Sequence, residues 1–468
     1  MTSPNILFIL IDDMGWRDLT CYGSEFYETP NLDRLAAQGM TFHEAYASAP
    51  VCSPSRASFL TGKYPVRVGV TDWIDVGYRV HPARGRLIDA PYVHQLPLGE
   101  FNLARALKES GYTTWHVGKW HLGTEPFYPE NQGFDVNIGG GHQGHPWQGY
   151  FSPWNLHNLE DGPEGEYLTD RLTDEAIQLI RAHTGGPFFL NLWHYAVHNP
   201  IQAKPEDILR FTEKSKRMGL DQINPFVEGE FFPTEHKRHL RVQRRVIQSD
   251  PGYAAMIYNL DWNTGRLIQA LEEENLLEDT LIVFTSDNGG LATSEGSPTS
   301  NLPLAEGKGW MYEGGNRVPL FFVWPGVIPS EASCSTPFSS PDLYPTLLDL
   351  AGLPLRPVQH CDGFSFASLL RQEGEIKEHP VFWHYPHYGN QGGTPACAIR
   401  LGVYKLIEFF EDGRLELYHL GEDIGERRDI SAQQPEIVQN LHSLLVDWRS
   451  GTGGILPLPN PDWLEASR

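Results

Sequence analysis

The segment Ile6-Leu7-Phe8-Ile9-Leu10-Ile11 is a continuous apolar run without alternation. A strand carries such a run only when both of its faces are buried, as in a largely parallel sheet. Similar runs recur at residues 113–117, 187–193, 280–285 and 318–324, and segments of helical character lie between them at 31–38, 103–110, 167–182 and 253–274. Strands alternating with helices predict an α/β fold, a large and mostly parallel sheet sandwiched by helices. From about Pro380 the texture changes to short strands at 396–401, 404–409 and 415–419, followed by a helix over 435–448. This predicts two domains, residues 1–379 and 380–468, the second a small antiparallel sheet with one helix.

Composition narrows the function classes. A formal net charge of −23 over 468 residues argues against sequence-independent binding to nucleic acid or to an anionic membrane. With 40% hydrophobic and 20% charged residues the chain is expected to be an ordered globular protein. The start lacks a basic n-region, and the apolar run at 6–11 is too short for a signal h-region or a membrane span, so the expected location is cytoplasmic. Five scattered Cys without a C-x-x-C pair form neither a zinc pattern nor a disulfide framework. Residues 211–247 read as an insertion with a basic run at 236–245; a solvated helix face or a contact in a homo-oligomer suits so acidic a chain better than a nucleic-acid site. The Gly-, His- and Trp-rich stretch at 139–157 reads as a ligand-positioning loop.

The chemistry sits after the buried strands. The first ends in Asp12-Asp13, and the strand over 280–285 leads into Asp287-Asn288-Gly289-Gly290. Ligands of open α/β sheets bind beyond the carboxyl ends of the strands. Adjacent aspartates there repel each other unless a cation compensates. Asp12, Asp13, Asp287 and Asn288 offer oxygen only, which suits a hard cation such as Ca²⁺ or Mg²⁺. Turn and cap residues are an alternative origin for either pair alone; both pairs at equivalent strand ends favour the metal. Lys119 and His121 follow a third strand, and His194 and His198 a fourth. A cation flanked by Lys and His in such a crevice is the layout expected for an oxyanion substrate.

Cys52 opens a short helix in which Ser53 is the expected N-cap, Pro54 fits N1 and Gly62 ends the helix. Arg56 follows one turn later, a bidentate anion donor near a helix N-terminus. Three residues separate Cys52 from Arg56, where a cysteine phosphatase loop requires five, so that reading of a reactive thiol fails.

The pattern Cys52-x-Pro54-Ser55-Arg56-x-Ser58-x-x-Thr61-Gly62 resembles the maturation signature of type I sulfatases, members of the alkaline phosphatase superfamily. The likeness extends through Asp12-Asp13, Lys119-Trp120-His121, His198, Asp287-Asn288-Gly289, Lys308 and the segment from Glu313 to Pro319, and into the small domain at 399–406 and 417–420. It implies that a formylglycine-generating or sulfatase-maturating enzyme converts Cys52 to formylglycine. One hydroxyl of its hydrate attacks sulfur and releases the alcohol; loss of the second expels sulfate and restores the aldehyde. The resemblance further implies Ca²⁺, or Mg²⁺, on Asp12, Asp13, Asp287, Asn288 and residue 52. Asp287 is then the general base, Arg56 and Lys119 stabilise the hydrate and the sulfate charge, and His121 assists elimination. His198 and Lys308 meet the sulfate and leaving oxygen, with His198 the general acid and His194 its competitor. Glu313 and Arg317 read as a structural charge pair. A phosphonate monoester hydrolase or phosphodiesterase of the same superfamily is the alternative enzyme, and an inactive glycan-binding relative the alternative of another class.

His142, His145 and Trp147, with His384 and His387 from the aromatic stretch 382–388, are expected to line the mouth and bind substrate. Rings flanked by imidazoles suit a sugar, with its apolar faces and polar edges, and would also accept an aryl sulfate; stapling of the small domain to the large one is the structural alternative. The resemblance favours a sulfated carbohydrate, of galactose or N-acetylgalactosamine type.

Overall fold

The computed structural model describes residues 3–77 and 81–463; the remainder of the expected domains, residues 1, 2, 78–80 and 464–468, lies outside it. Its centre is the strand Asn5–Ile11, every residue of which is buried. The alternating side chains of this run enter two cores. Leu7, Ile9 and Ile11 pack with the helices Leu168–Ala182 and Pro251–Glu273 on one face. Ile6, Phe8 and Leu10 pack with the helices Cys52–Thr61, Leu103–Glu109 and Leu343–Leu350 on the other. Two-sided burial is why the run lacks polar residues. The long helix Pro251–Glu273 starts where Asp250 accepts from the Gly252 and Tyr253 amides, with Pro251 as first residue.

The nine-stranded sheet runs in the order Ala332–Cys334, Met40–Tyr46, Arg317–Val323, Thr280–Ser286, Asn5–Ile11, Phe188–Trp193, Thr113–Gly118, Val136–Ile138, with Phe338–Ser339 also on Met40–Tyr46. Asn5–Ile11 is parallel to both neighbours. Arg317–Val323 is antiparallel to its two. Met40–Tyr46 is a strand that its mixed polarity concealed in the sequence.

The second, four-stranded sheet is antiparallel in the order Val381–Tyr385, Ala396–Leu401, Tyr404–Phe409, Leu415–His419. Helix Pro435–Thr452 covers one face through Leu441 and Leu445. The other face, including Trp383, Tyr385 and Ile407, packs on Tyr46, Val51 and Met311 of the large body. The basic run 236–245 is not a helix face: Arg241–Arg245 pairs antiparallel with Phe226–Phe231. Arg244 there is neutralised by Glu306 and Glu230 at 2.8 and 2.7 Å. Among the described residues no helix is long and apolar enough to cross a membrane.

A buried ion network pins the two sheets together. Lys405 lies 3.0 Å from Glu313 and 2.9 Å from Glu426, all three shielded from water. Glu313 also accepts from the Tyr46 hydroxyl at 2.8 Å and meets Arg317 at 3.3 Å. Removing the ammonium leaves two buried carboxylates facing each other. Lys405→Met is therefore expected to lower stability by about 3–5 kcal/mol, read from the urea midpoint; an unchanged midpoint would rule out this role.

Candidate active site

Parallel register brings the chemistry to one edge. Ile11 pairs with Ser286 and Leu10 with Trp193, so the residues that follow these strands emerge side by side. Backbone bonds then interlock the exits: Asp287 donates its amide to Ile11, Lys119 to Trp193 and Asp12 to Ala196. Asp13 and His121 sit in the left-handed region at φ 61° and 55°. Such conformations cost about 1–3 kcal/mol and are held here by the Asp13 amide donating to Asp287 Oδ1 and the His121 amide donating to the Gly141 carbonyl.

Helix Cys52–Thr61 is buried along its whole length, and Gly62 closes it in a left-handed turn at φ 67°. The expected cap is corrected. Val51 is the N-cap residue, no side chain caps it, and Ser53 lies inside the helix. The Ser53 hydroxyl instead donates to the His121 carbonyl at 2.9 Å and accepts from the Ile74 amide at 3.1 Å. It thereby ties the helix to the two loops that flank Cys52.

Cys52 Sγ lies 3.2 Å from His121 Nδ1. His121 Nε2 is 2.9 Å from the Ile74 carbonyl, which can only accept, so the ring proton sits on Nε2 and the Nδ1 lone pair faces Cys52. Burial, followed by Lys119, pushes the His121 pKa well below the usual imidazole range. Burial also raises the Cys52 thiol, so the unmodified side chain is a neutral thiol rather than a thiolate at neutral pH.

Around this pair, three carboxylates meet three cations. Arg56 binds Asp287 Oδ2 through Nε at 2.9 Å and through its terminal nitrogen at 2.8 Å. Its other terminal nitrogen donates to the Lys119 carbonyl at 2.9 Å. Lys119 Nζ lies 2.5 Å from Asp12 Oδ2, and Lys308 Nζ 2.7 Å from Asp13 Oδ2 and 3.0 Å from His198 Nε2. Asn288 donates its amide to Asp13 Oδ1 at 2.9 Å. Burial and the neighbouring Asp287 raise Asp12 well above the normal carboxyl range. Burial opposes ionisation of Asp13 as well, but Lys308, His198 and Lys119 hold it below that range.

The donor set fits a hard divalent cation. Asp12 Oδ1 and Asn288 Oδ1 are buried oxygens without a hydrogen-bond partner, next to the two oxygens of Asp13 and to Asp287. A buried acceptor left bare costs about 1–3 kcal/mol, and an oxygen-seeking ion such as Ca²⁺ or Mg²⁺ answers it. Asp12, Asp13, Asp287 and Asn288 are the residues able to hold one.

The cluster floors a cavity of about 500 Å³ into which Cys52, His121, His198 and Lys308 open. The expected rim residues His142, His145 and Trp147 line it, and the His145 ring stacks on that of His198 with centroids 5.6 Å apart. Trp73, Glu295, Asn390 and Gln391 line it too, although no motif marks them in the sequence.

Two expected rim residues are corrected. His384 lies on the strand Val381–Tyr385, is buried, and faces the Ile455 carbonyl at 3.0 Å. His387 is fully buried, with Nε2 2.9 Å from Thr71 Oγ1. Neither lines the cavity: His384 sits in an edge strand packed between its own helix and the large body, and His387, two residues beyond that strand, is buried against Thr71. His194 is likewise buried away from the cavity, where burial lowers its pKa to about 4. Of the two, only His198 reaches Lys308.

The architecture is a mixed α/β sheet whose strand exits carry a buried charge constellation opening into a cavity. A family model described as "Sulfatase" matches residues 4–353, and one described as "N-sulphoglucosamine sulphohydrolase, C-terminal" matches residues 306–451. The chain belongs to the type I sulfatase family and is a sulfuric ester hydrolase. It is 32% identical to a sulfatase of Formosa agariphila, over 92% of this chain and 85% of that one. It is 31% identical to the N-acetylgalactosamine-6-sulfatase of Sus scrofa, over 94% of this chain and 84% of that one. The crystal structure of Ps i-CgsB in complex with k-i-k-neocarrahexaose superposes with a TM-score of 0.75 at 30% identity, covering 99% of this chain and 95% of that one.

Because Ser53 satisfies two buried backbone groups at once, Ser53→Ala is expected to destabilise the protein by about 1–3 kcal/mol in urea unfolding. Ser53→Thr, which keeps the hydroxyl, should restore most of it; equal losses in both would point to packing instead.

Proposed function

We propose that the protein hydrolyses sulfate esters of a galactose- or N-acetylgalactosamine-type carbohydrate, using Cys52 after its oxidation to formylglycine and a divalent ion, Ca²⁺ by donor chemistry, on Asp12, Asp13, Asp287 and Asn288. One observation carries this reading: residue 52 opens into the cavity 3.2 Å from a proton-free His121 nitrogen, beside three buried carboxylates and three buried cations. The sugar class rests on the names of two relatives, one an N-acetylgalactosamine-6-sulfatase and one a complex with a neocarrahexaose. When bound, the ion polarises the sulfate oxygens and acidifies the nucleophile.

The remaining chemistry belongs to side chains. The three carboxylates and three cations cancel formally, so a bound dication would leave the site net positive toward a monoanionic sulfate ester. Asp287 is the general base for the attacking hydroxyl, and Arg56 holds its carboxylate in place through two nitrogens. Arg56 is itself fixed by the Lys119 carbonyl and by the Trp193 ring, 5.0 Å away, so it positions rather than swings. Lys119 and Lys308 supply positive charge for the equatorial sulfate oxygens.

His198 Nδ1 lies 2.9 Å from the Asn199 carbonyl, which puts the ring proton there and leaves Nε2 to accept from Lys308. Burial, followed by Lys308, keeps this imidazole neutral. The acid that protonates the leaving alkoxide is therefore the Lys308–His198 pair, not His198 alone. His121 Nδ1 faces residue 52 and takes the proton of the second hydroxyl as the C–O bond to sulfate breaks, which returns the aldehyde.

Peptide mass of the segment around residue 52, from protein made with a maturation enzyme, is expected to show replacement of the thiol by an aldehyde. An unmodified thiol in active protein would overturn the proposed nucleophile. Cys52→Ala should abolish turnover while leaving the unfolding midpoint near that of the parent. Lys308→Ala should lower kcat by about 10²–10³-fold on a sulfated galactose-type oligosaccharide. Asp13→Asn should remove the thermal stabilisation given by added Ca²⁺. Faster hydrolysis of a phosphonate or phosphodiester than of any sulfate ester would overturn the substrate class.

A further inference from the structure

Behind the cavity wall formed by Trp73 and Ile74, a second group of polar side chains is buried with its chemistry unsatisfied. Asp72 Oδ1 accepts from the Trp73 amide at 2.8 Å and from the Tyr385 hydroxyl at 2.7 Å. Asp72 Oδ2 has no hydrogen-bond partner, and neither do His81 Nε2 and His387 Nδ1. Asp72 Oδ2 faces both of the others, 3.3 Å from His81 Nε2 and 3.9 Å from His387 Nδ1, and Asp72, Asp89 and His387 each offer a ligand atom within 4.8 Å of one another. The side chains of Asp72 and His387 are 0% exposed and that of His81 8%.

We propose that Asp72, His81 and His387 bind a transition-metal ion, zinc by donor chemistry, at a site separate from the catalytic centre. Tetrahedral zinc with bonds of about 2.0–2.1 Å holds its ligand atoms about 3.3–3.4 Å apart. The Asp72–His81 spacing already has this value, and the Asp72–His387 spacing of 3.9 Å reaches it by a movement of about 0.5 Å. Two imidazole nitrogens with one carboxylate oxygen suit zinc, whereas the all-oxygen catalytic set suits calcium.

The outer contacts have the form that orients metal-binding histidines. His81 Nδ1 lies 3.3 Å from Asp89 Oδ2, and His387 Nε2 2.9 Å from Thr71 Oγ1. Asp89 is anchored in turn, accepting from the Ala83 and Tyr388 amides at 2.8 and 2.9 Å. Aromatic rings close the surroundings. Trp73 stands 5.0 Å from the His81 ring, and Tyr92 5.5 and 5.4 Å from the rings of His81 and His387.

Charge makes the same demand. Among the described residues no Lys or Arg pairs with Asp72 or Asp89, whose ion-pair partners there are imidazoles alone. Two buried carboxylates without a basic partner are costly, and a dication removes that cost. The ion would clamp the segment that carries Trp73 and Ile74 to the exit of strand Val381–Tyr385. Ile74 in turn holds His121. The competing arrangement, an imidazolium of His81 shared by Asp72 and Asp89, needs no ion.

The test uses the full chain. Crystals of wild-type protein equilibrated with Zn²⁺ are measured at the zinc absorption edge, and metal-free protein is titrated with Co²⁺ in solution. Expected are an anomalous peak bonded to Asp72, His81 and His387 and the visible absorption bands of tetrahedral cobalt. These bands should weaken with a 10–100-fold lower Co²⁺ affinity, on the order expected for loss of an outer-shell partner, in Asp89→Asn, and persist in Asp13→Asn. No peak at zinc saturation overturns the proposal. So do cobalt bands that survive His387→Ala, or that vanish with Asp13→Asn instead. Should His387→Ala fail to fold, the wild-type anomalous map decides alone.

Discussion

Asp12, Asp13 and Asp287 are packed together out of reach of water, and Arg56, Lys119 and Lys308 come from three other parts of the chain to meet them. Charges buried this way are tolerable only as a set, since removal of any one leaves another unpaired in a low dielectric. The surrounding structure follows from that demand. Parallel register sets the two acidic strand exits side by side, helix Cys52–Thr61 delivers Arg56 from beneath, and the loops after Thr113–Gly118 and before Arg317–Val323 deliver the lysines. The result is a site whose geometry is preorganised by electrostatics before any substrate enters.

The same economy of buried charge recurs at the sheet-to-sheet contact, where Lys405 joins Glu313 and Glu426. That contact seats the small sheet so that its edge strand lies against the wall of the cavity. Tyr385 bonds Asp72, the neighbour of Trp73, and Trp383 donates its indole N–H to the Ala47 carbonyl at 2.8 Å. The small sheet therefore supports the pocket from behind, and Asn390 and Gln391, in the loop beyond its edge strand, reach the rim. The rim is built where these loops meet, whereas the charged cluster is built at the strand exits.

Much of the site was legible because its signals are local. Asp12-Asp13 and Asp287-Asn288 follow apolar runs directly, and Cys52 to Gly62 carries its spacing within one helix. Other roles were not legible. Ser53 reads as a cap in sequence, but Val51 takes that position, leaving the serine hydroxyl to bond partners 68 and 21 residues away. The aromatic and histidine stretch at 382–388 has the composition of a binding loop, yet it is a buried edge strand as far as Tyr385 and His387 beyond it is buried too; composition does not say which face of a segment meets a core.

The amino-acid sequence by itself determined the sheet architecture, the family and the residues at the strand exits. Two-sided burial demands unbroken apolar runs, and the reactive groups stand at fixed offsets from them. Only the tertiary structure decided that His198 rather than His194 meets Lys308, that His384 and His387 turn inward, and that Trp73, Glu295, Asn390 and Gln391 complete the rim. Those outcomes depend on side-chain direction and on contacts between segments hundreds of residues apart. A local pattern of residue types does not encode either.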